Sequence, residues 1–146
     1  VARRTVVDAE QGFPAIPVRS FVTKEEVQLS FTGIEWNLQN LQRAFGGGSY
    51  VNDPGNPPTT PAKETFSFGG DINMQEVALK VVHKLPSGAT EEIYVWRARG
   101  SGEIAVNFQD NIHEFPYTFT ALHASTDWDG NALPANEQLA RIVHIK

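Results

Sequence analysis

Asp127-Trp128-Asp129-Gly130-Asn131 comes nearest, among the residues of this chain, to metal chemistry. Carboxylates at i and i+2 followed by glycine open a calcium loop, because a hard cation needs several oxygens turned onto one point. Such a loop closes on a glutamate at its twelfth position, which counted from Asp127 is Gln138. Asp, Asn and Gly in this order also build a turn with no metal, and a structural loop is the expectation. His83, His113, His123 and His144 show neither HxH nor HxxxH spacing, so ordinary strand and loop positions are expected for them. No serine lies in a GxSxG elbow. Gly46, Gly47 and Gly48 lack the lysine of a phosphate loop and the spacing of a dinucleotide fingerprint. Glu25-Glu26 and Glu91-Glu92 are adjacent pairs, which a strand points to opposite faces, so neither makes an acid–base couple. The absence of cysteine removes thiol nucleophiles, disulfides and cysteine-based zinc sites. No catalytic, cofactor or metal constellation emerges, and a protein that is not an enzyme is expected.

The aromatic residues leave several readings open. Trp96, Trp128, Tyr94 and Tyr117 have the makings of a sugar-stacking platform, as in carbohydrate-binding sandwiches. Tyr94 and Trp96 alternate with Ile93 and Val95, so one of the two faces is buried either by the domain core or by a neighbouring subunit. Arg97 and Arg99 continue the phase of Ile93 and Val95, and basic residues on an acidic chain suit contacts between copies.

These residues must be held by elements, and the clearest are in Phe21–Gly48. Val27, Leu29 and Phe31 alternate with Gln28 and Ser30, the pattern of a strand with one buried face. From Ile34 the period changes: Ile34, Leu38, Leu41 and Phe45 make one helical stripe, and glycines 46–48 end it. Gly12, Pro14 and Pro17 predict an extended arm over 1–20, with 8–20 unpaired. The composition of 46–63 predicts a long Gly/Pro-rich surface loop with no regular element. Short strands are expected at 65–68, 102–108, 116–123 and 141–145, and a hairpin from 75–84 and 91–97 around Pro86-Ser87-Gly88. The fold expected is mainly β: an antiparallel β-sandwich or part-open barrel with one flanking helix at about 34–45, in one domain spanning 1–146. A net charge of −5 argues against tight nucleic-acid binding, and no apolar run is long enough to cross a membrane as a helix.

The order of these features resembles the major tail tube proteins of long-tailed bacteriophages. FVTKEEVQLSF, then NLQNLQRAFGGG and the loop after it, then VALKVVHKLPSGATEEIYVWRARGSGEIAVNF and FPYTFTALHASTDWDGNALPANEQLARIVHI carry the likeness over residues 20–146. The segment that often precedes the first arm in that family has no counterpart ahead of Val1, and an N-terminal stretch missing from the sequence is an expectation. The resemblance implies a structural virion protein that self-assembles into hexameric rings, stacked into the hollow tube through which phage DNA passes. Neighbouring strands would join into a continuous inner β-barrel with the helix outside. The partners it implies are further copies of the chain, the tape-measure protein, and tail terminator and baseplate proteins, with no cofactor and no membrane insertion. The setting is the phage tail, and the host cytoplasm during assembly.

On that basis Val77, Leu79, Val81, Ile93, Val95, Arg97, Arg99, Glu103 and Val106 are expected at the lumen or between subunits, with Glu91, Glu92 and Asp110 as further acidic lumen candidates. Tyr50, Asp53, Pro54 and Asn56 are expected to touch the next ring. The competing readings are a monomeric carbohydrate- or receptor-binding sandwich, and a related tail terminator or baseplate ring protein.

Overall fold

The computed structural model of the chain describes residues 1–33, 37–70, 74–103 and 115–146. Strands β1 (Ala2–Gln11), β2 (Ile16–Gly33), β5 (Glu76–Lys84), β6 (Thr90–Gly100), β7 (Phe115–Ala121) and β8 (Arg141–Ile145) form one antiparallel sheet. Helix α1 (Leu38–Phe45) lies between β2 and a separate hairpin of β3 (Ser49–Asp53) and β4 (Lys63–Ser67). The large sheet runs in the order β1-β2-β7-β6-β5, with β8 also paired to β6. It curls into a half-barrel, so the fold is the mainly β, part-open architecture expected from the strand pattern.

One face of the sheet is apolar and packs on α1. Leu41 and Ala44 of the helix are buried against Val95, Ala98, Phe115, Tyr117, Phe119 and Ala121. Val27, Leu29 and Phe31 belong to that face, because Leu29 pairs with Phe119 and Phe31 with Tyr117 across β2 and β7. The helix starts at Leu38 rather than near Ile34, which lies outside the described residues. Asn37 fixes that start: its side-chain oxygen accepts from the N–H groups of Gln39 at 2.9 Å and Asn40 at 3.2 Å. Gly46 ends the helix in the left-handed conformation, as its position after the apolar stripe predicts.

Three local expectations are corrected. The arm is paired: β1 and β2 form a hairpin in register from Ala2↔Val27 to Gln11↔Ile16. Gly12 and Pro14 occupy its turn, and Pro17 sits at a register shift where its missing N–H breaks no regular ladder. The loop over 46–63 is half strand. Tyr50 and Val51 favour the extended state within β3, and the glycines and prolines are confined to the helix cap and the hairpin tip.

The third correction concerns β6. Leu79 pairs with Val95 and Val77 with Ala98, so Trp96 and Arg97 together oppose Ala78. This bulge inverts the alternation. Val95, Ala98 and Gly100 are buried, whereas Arg97 and Arg99 are exposed and share neither the phase nor the environment of Ile93 and Val95.

Candidate interaction surface

The most unusual surface of the chain is the β1–β2 ribbon. Beyond Val27 it leaves the body of the sheet, and Val6, Val7, Ile16, Val18, Phe21 and Val22 are each about half exposed or more. Phe13 at the tip is fully exposed. Val6 pairs with Val22 and Val7 with Phe21, and cross-strand partners share a face, so both faces of the ribbon are apolar near its middle. Toward the tip it turns polar. Ser20 donates to Asp8 at 2.5 Å, and the guanidinium of Arg19 stands 5.0 Å from the centre of the Phe21 ring. Near its base Arg4 and Glu25 pair at 2.5 Å, and Lys24 and Glu26 at 2.6 Å. An isolated two-stranded ribbon is marginal in water, and exposed apolar surface on both sides marks a surface that another chain covers.

Two sheet edges are open. Among the described residues β1 pairs only with β2, and β5 only with β6. A row of unpaired backbone N–H and C=O groups is a template for a further strand.

The sheet face away from α1 is polar where β2, β7 and β6 meet. Gln28 pairs with Thr120 and Ser30 with Thr118, whose hydroxyls lie 3.2 Å apart. Arg97 forks Glu76 through Nε at 2.5 Å and Nη2 at 2.7 Å. That contact holds the Glu76 carboxyl below its ordinary range and raises Arg97. Arg97 also donates to the His123 carbonyl at 3.3 Å. Its charge is therefore neutralised on the face that it occupies.

Farther along the same face the chain between β7 and β8 folds back over Tyr94 and Trp96. Trp128 packs on both rings at centroid distances of 5.3 and 5.1 Å, and Trp96 Nε1 donates to the Glu137 carbonyl at 2.9 Å. Arg141 lies 5.1 Å from each of the two ring centres. The Tyr94 hydroxyl donates to Glu92, which also pairs with Lys80 at 3.1 Å, and both contacts hold the Glu92 carboxyl low. Tyr117 belongs to the opposite, helix-covered face. The four aromatics thus form no common platform: Trp96 is buried, and Trp128 is the partly exposed lid of a small second core.

The Asp127 carboxylate is used by its own turn. Oδ1 accepts from the N–H groups of Asp129 at 2.9 Å and Asn131 at 2.8 Å, and the Asn131 amide reaches both oxygens. These bonds lower its pKa from 3.8, the Asn131 side chain contributing most. A depressed carboxylate stabilises the fold above its unfolded pKa and loses that contribution as pH falls through the folded value. The expected result is that an NMR titration places the Asp127 midpoint below 3.8, with Trp128 resonances moving in the same step.

The residues expected at a lumen or interface are separated by the fold. Val77, Leu79, Ile93 and Val95 face the helix side and pack in or on the core. Val81, one strand row farther, is half-buried. Arg97 and Arg99 lie on the polar face, and Glu103 is exposed beyond the end of β6. Val106 and Asp110, with the strand expected at 102–108 from residue 104 on, lie outside the described residues. Tyr50 and Asp53 belong to β3, and Pro54 and Asn56 to the tip of its hairpin, where Asp53 Oδ1 accepts from Gly55 N at 3.0 Å. The burial of the apolar hairpin residues follows from their alternation. The exposed ribbon was hidden because its prolines and glycine read as breakers; its signal was the spacing of Val6, Val7, Phe21 and Val22 about one turn. Comparison with family models, with curated proteins and with solved structures found no match.

Proposed function

We propose that this chain is a structural subunit that assembles with its own copies into closed rings, which stack into a hollow tube like that of a bacteriophage tail. One observation carries the reading: a curled sheet with two open edges, continued by an apolar ribbon that none of the described residues cover. Open edges are an aggregation hazard in a monomer and become productive when a ring closes on itself. The part of the sheet face away from α1 that carries Ser30, Thr118, Thr120 and the Arg97–Glu76 pair suits a bore. Its cation is internally neutralised and the chain as a whole is acidic, so passing DNA finds few of the phosphate contacts that would hold it. The β3–β4 tip is assigned to the next ring, and the tape-measure, terminator and baseplate proteins are the further partners on this reading. A carbohydrate-binding module is disfavoured by the closed aromatic cluster.

Sedimentation velocity over a concentration series tests the reading. Species of ring size and larger are expected, and a 16.1 kDa monomer at every concentration contradicts it. The double variant Val7→Lys/Phe21→Lys removes one apolar patch of the ribbon without touching the core. It is expected to stay folded, with stability within about 0.5 kcal/mol of the parent because both sites are exposed. Its large species are expected to vanish from the sedimentation profile.

A further inference from the structure

The topology restricts how such copies can join. Gln28, Thr120, Arg99 and Glu76 form one row across β2, β7, β6 and β5. One residue farther along the ladders, Ala2 and Val27 stand level with Ala121, Ala98 and Val77. The path β1-β2-β7-β6-β5 is antiparallel at every step and has an odd number of strands, so its two edge strands run the same way. Both rise from this row: β1 from Ala2 and β5 from Val77.

We propose that copies join as a parallel pair, β1 of one chain beside β5 of the next, with Val6 and Val7 level with Val81 and Val82. The proposal rests on the ring reading and names its seam. Val6 and Val81 stand equally far above the common row, as do Val7 and Val82, so equal counting on the two edges brings the valines together. Val6, Val7 and Val82 are each about half exposed, and the seam covers them. Charge follows the same order. β1 passes from Arg3 and Arg4 to Asp8 and Glu10, whereas β5 passes from Glu76 to Lys80, His83 and Lys84. In the parallel arrangement the basic end of one edge meets the acidic end of the other at both extremes. A two-fold contact of β1 with β1 would leave β5 open, and a contact of β5 with β5 would leave β1 open. The head-to-tail seam satisfies both edges with one interface and propagates around a ring.

The chain has no cysteine, so the variant Val7→Cys/Val82→Cys carries a single reporter pair. Treated with a short bismaleimide, it is expected to give a denaturing-gel ladder of covalent oligomers. Each single variant, and the displaced pair Val7→Cys/Ala78→Cys, is expected to remain monomeric on the same gel. A charge test needs no cross-linker. Glu10→Lys is expected to raise the concentration needed for assembly at least about tenfold, and adding Lys84→Glu to restore it. Rings seen without a ladder, or covalent dimers from Val7→Cys alone, overturn this seam and leave the ring reading standing. Wild-type protein that forms no oligomer and cross-links in no variant overturns both.

Discussion

Gly100→Ala is expected to destabilise the fold by about 3 kcal/mol, more than its single added methyl suggests. A Cβ at this position would stand 2.0 Å from the Ala44 carbonyl oxygen, 2.5 Å from its carbon and 2.7 Å from the Arg43 carbonyl oxygen. All three are backbone atoms in the last turn of α1, so no rotamer change relieves the clash. The helix must lift from β6, and lifting it uncovers Leu41 and Ala44, the two residues that bury the helix. Gly46, in the left-handed conformation, sits over the same point. A thermal melt reads the effect as a fall of about 2–4 °C per kcal/mol for a chain of this length. Unchanged stability would mean that α1 and β6 do not approach as described.

Val95→Asp is expected to abolish folding. Val95 is 1% exposed and contributes to the cluster that joins α1, β6 and β7. A carboxylate there loses its hydration, and no buried polar or charged residue is available among the described residues to compensate it. Costs of this kind exceed about 4 kcal/mol, a large share of the stability of an ordinary domain. Val82→Asp is the matched control, because Val82 lies on the edge strand and is 48% exposed. Circular dichroism is expected to show a disordered chain for Val95→Asp and native strand signal for Val82→Asp, which then fails to form oligomers. Native strand signal from Val95→Asp would contradict the core assignment.

Much of this fold was legible where one physical rule acted alone. Alternation of Val27, Leu29 and Phe31 identified a strand with one buried face, and Leu29 and Phe31 pair with the aromatic face of β7. The stripe of Leu38, Leu41 and Phe45 followed by glycine identified the helix and its end. Legibility failed where two rules competed. Gly12, Pro14 and Pro17 read as breakers, but cross-strand pairing of Val6 with Val22 and Val7 with Phe21 continues the hairpin around them. Strict alternation put Arg97 with Val95, and the bulge opposite Ala78 undid it; an extra residue in one strand leaves no mark in that strand's own sequence. The aromatic cluster was ambiguous for a different reason. Whether Tyr94 and Trp96 are open or covered depends on the path of residues 122–140, fixed by contacts such as that of Trp96 with the Glu137 carbonyl.

The apolar ribbon illustrates the limit of reading a chain by itself. Val6, Val7, Phe21 and Val22 obey the pattern of buried strand residues, yet nothing among the described residues buries them. Their pattern becomes intelligible once the burying surface belongs to another copy.

Electron microscopy of the purified wild-type protein, negatively stained over a concentration series, is the most direct test of that view. Closed rings with a central opening, lengthening into hollow tubes as concentration rises, are the predicted result. A uniform field of single small particles at every concentration would contradict it.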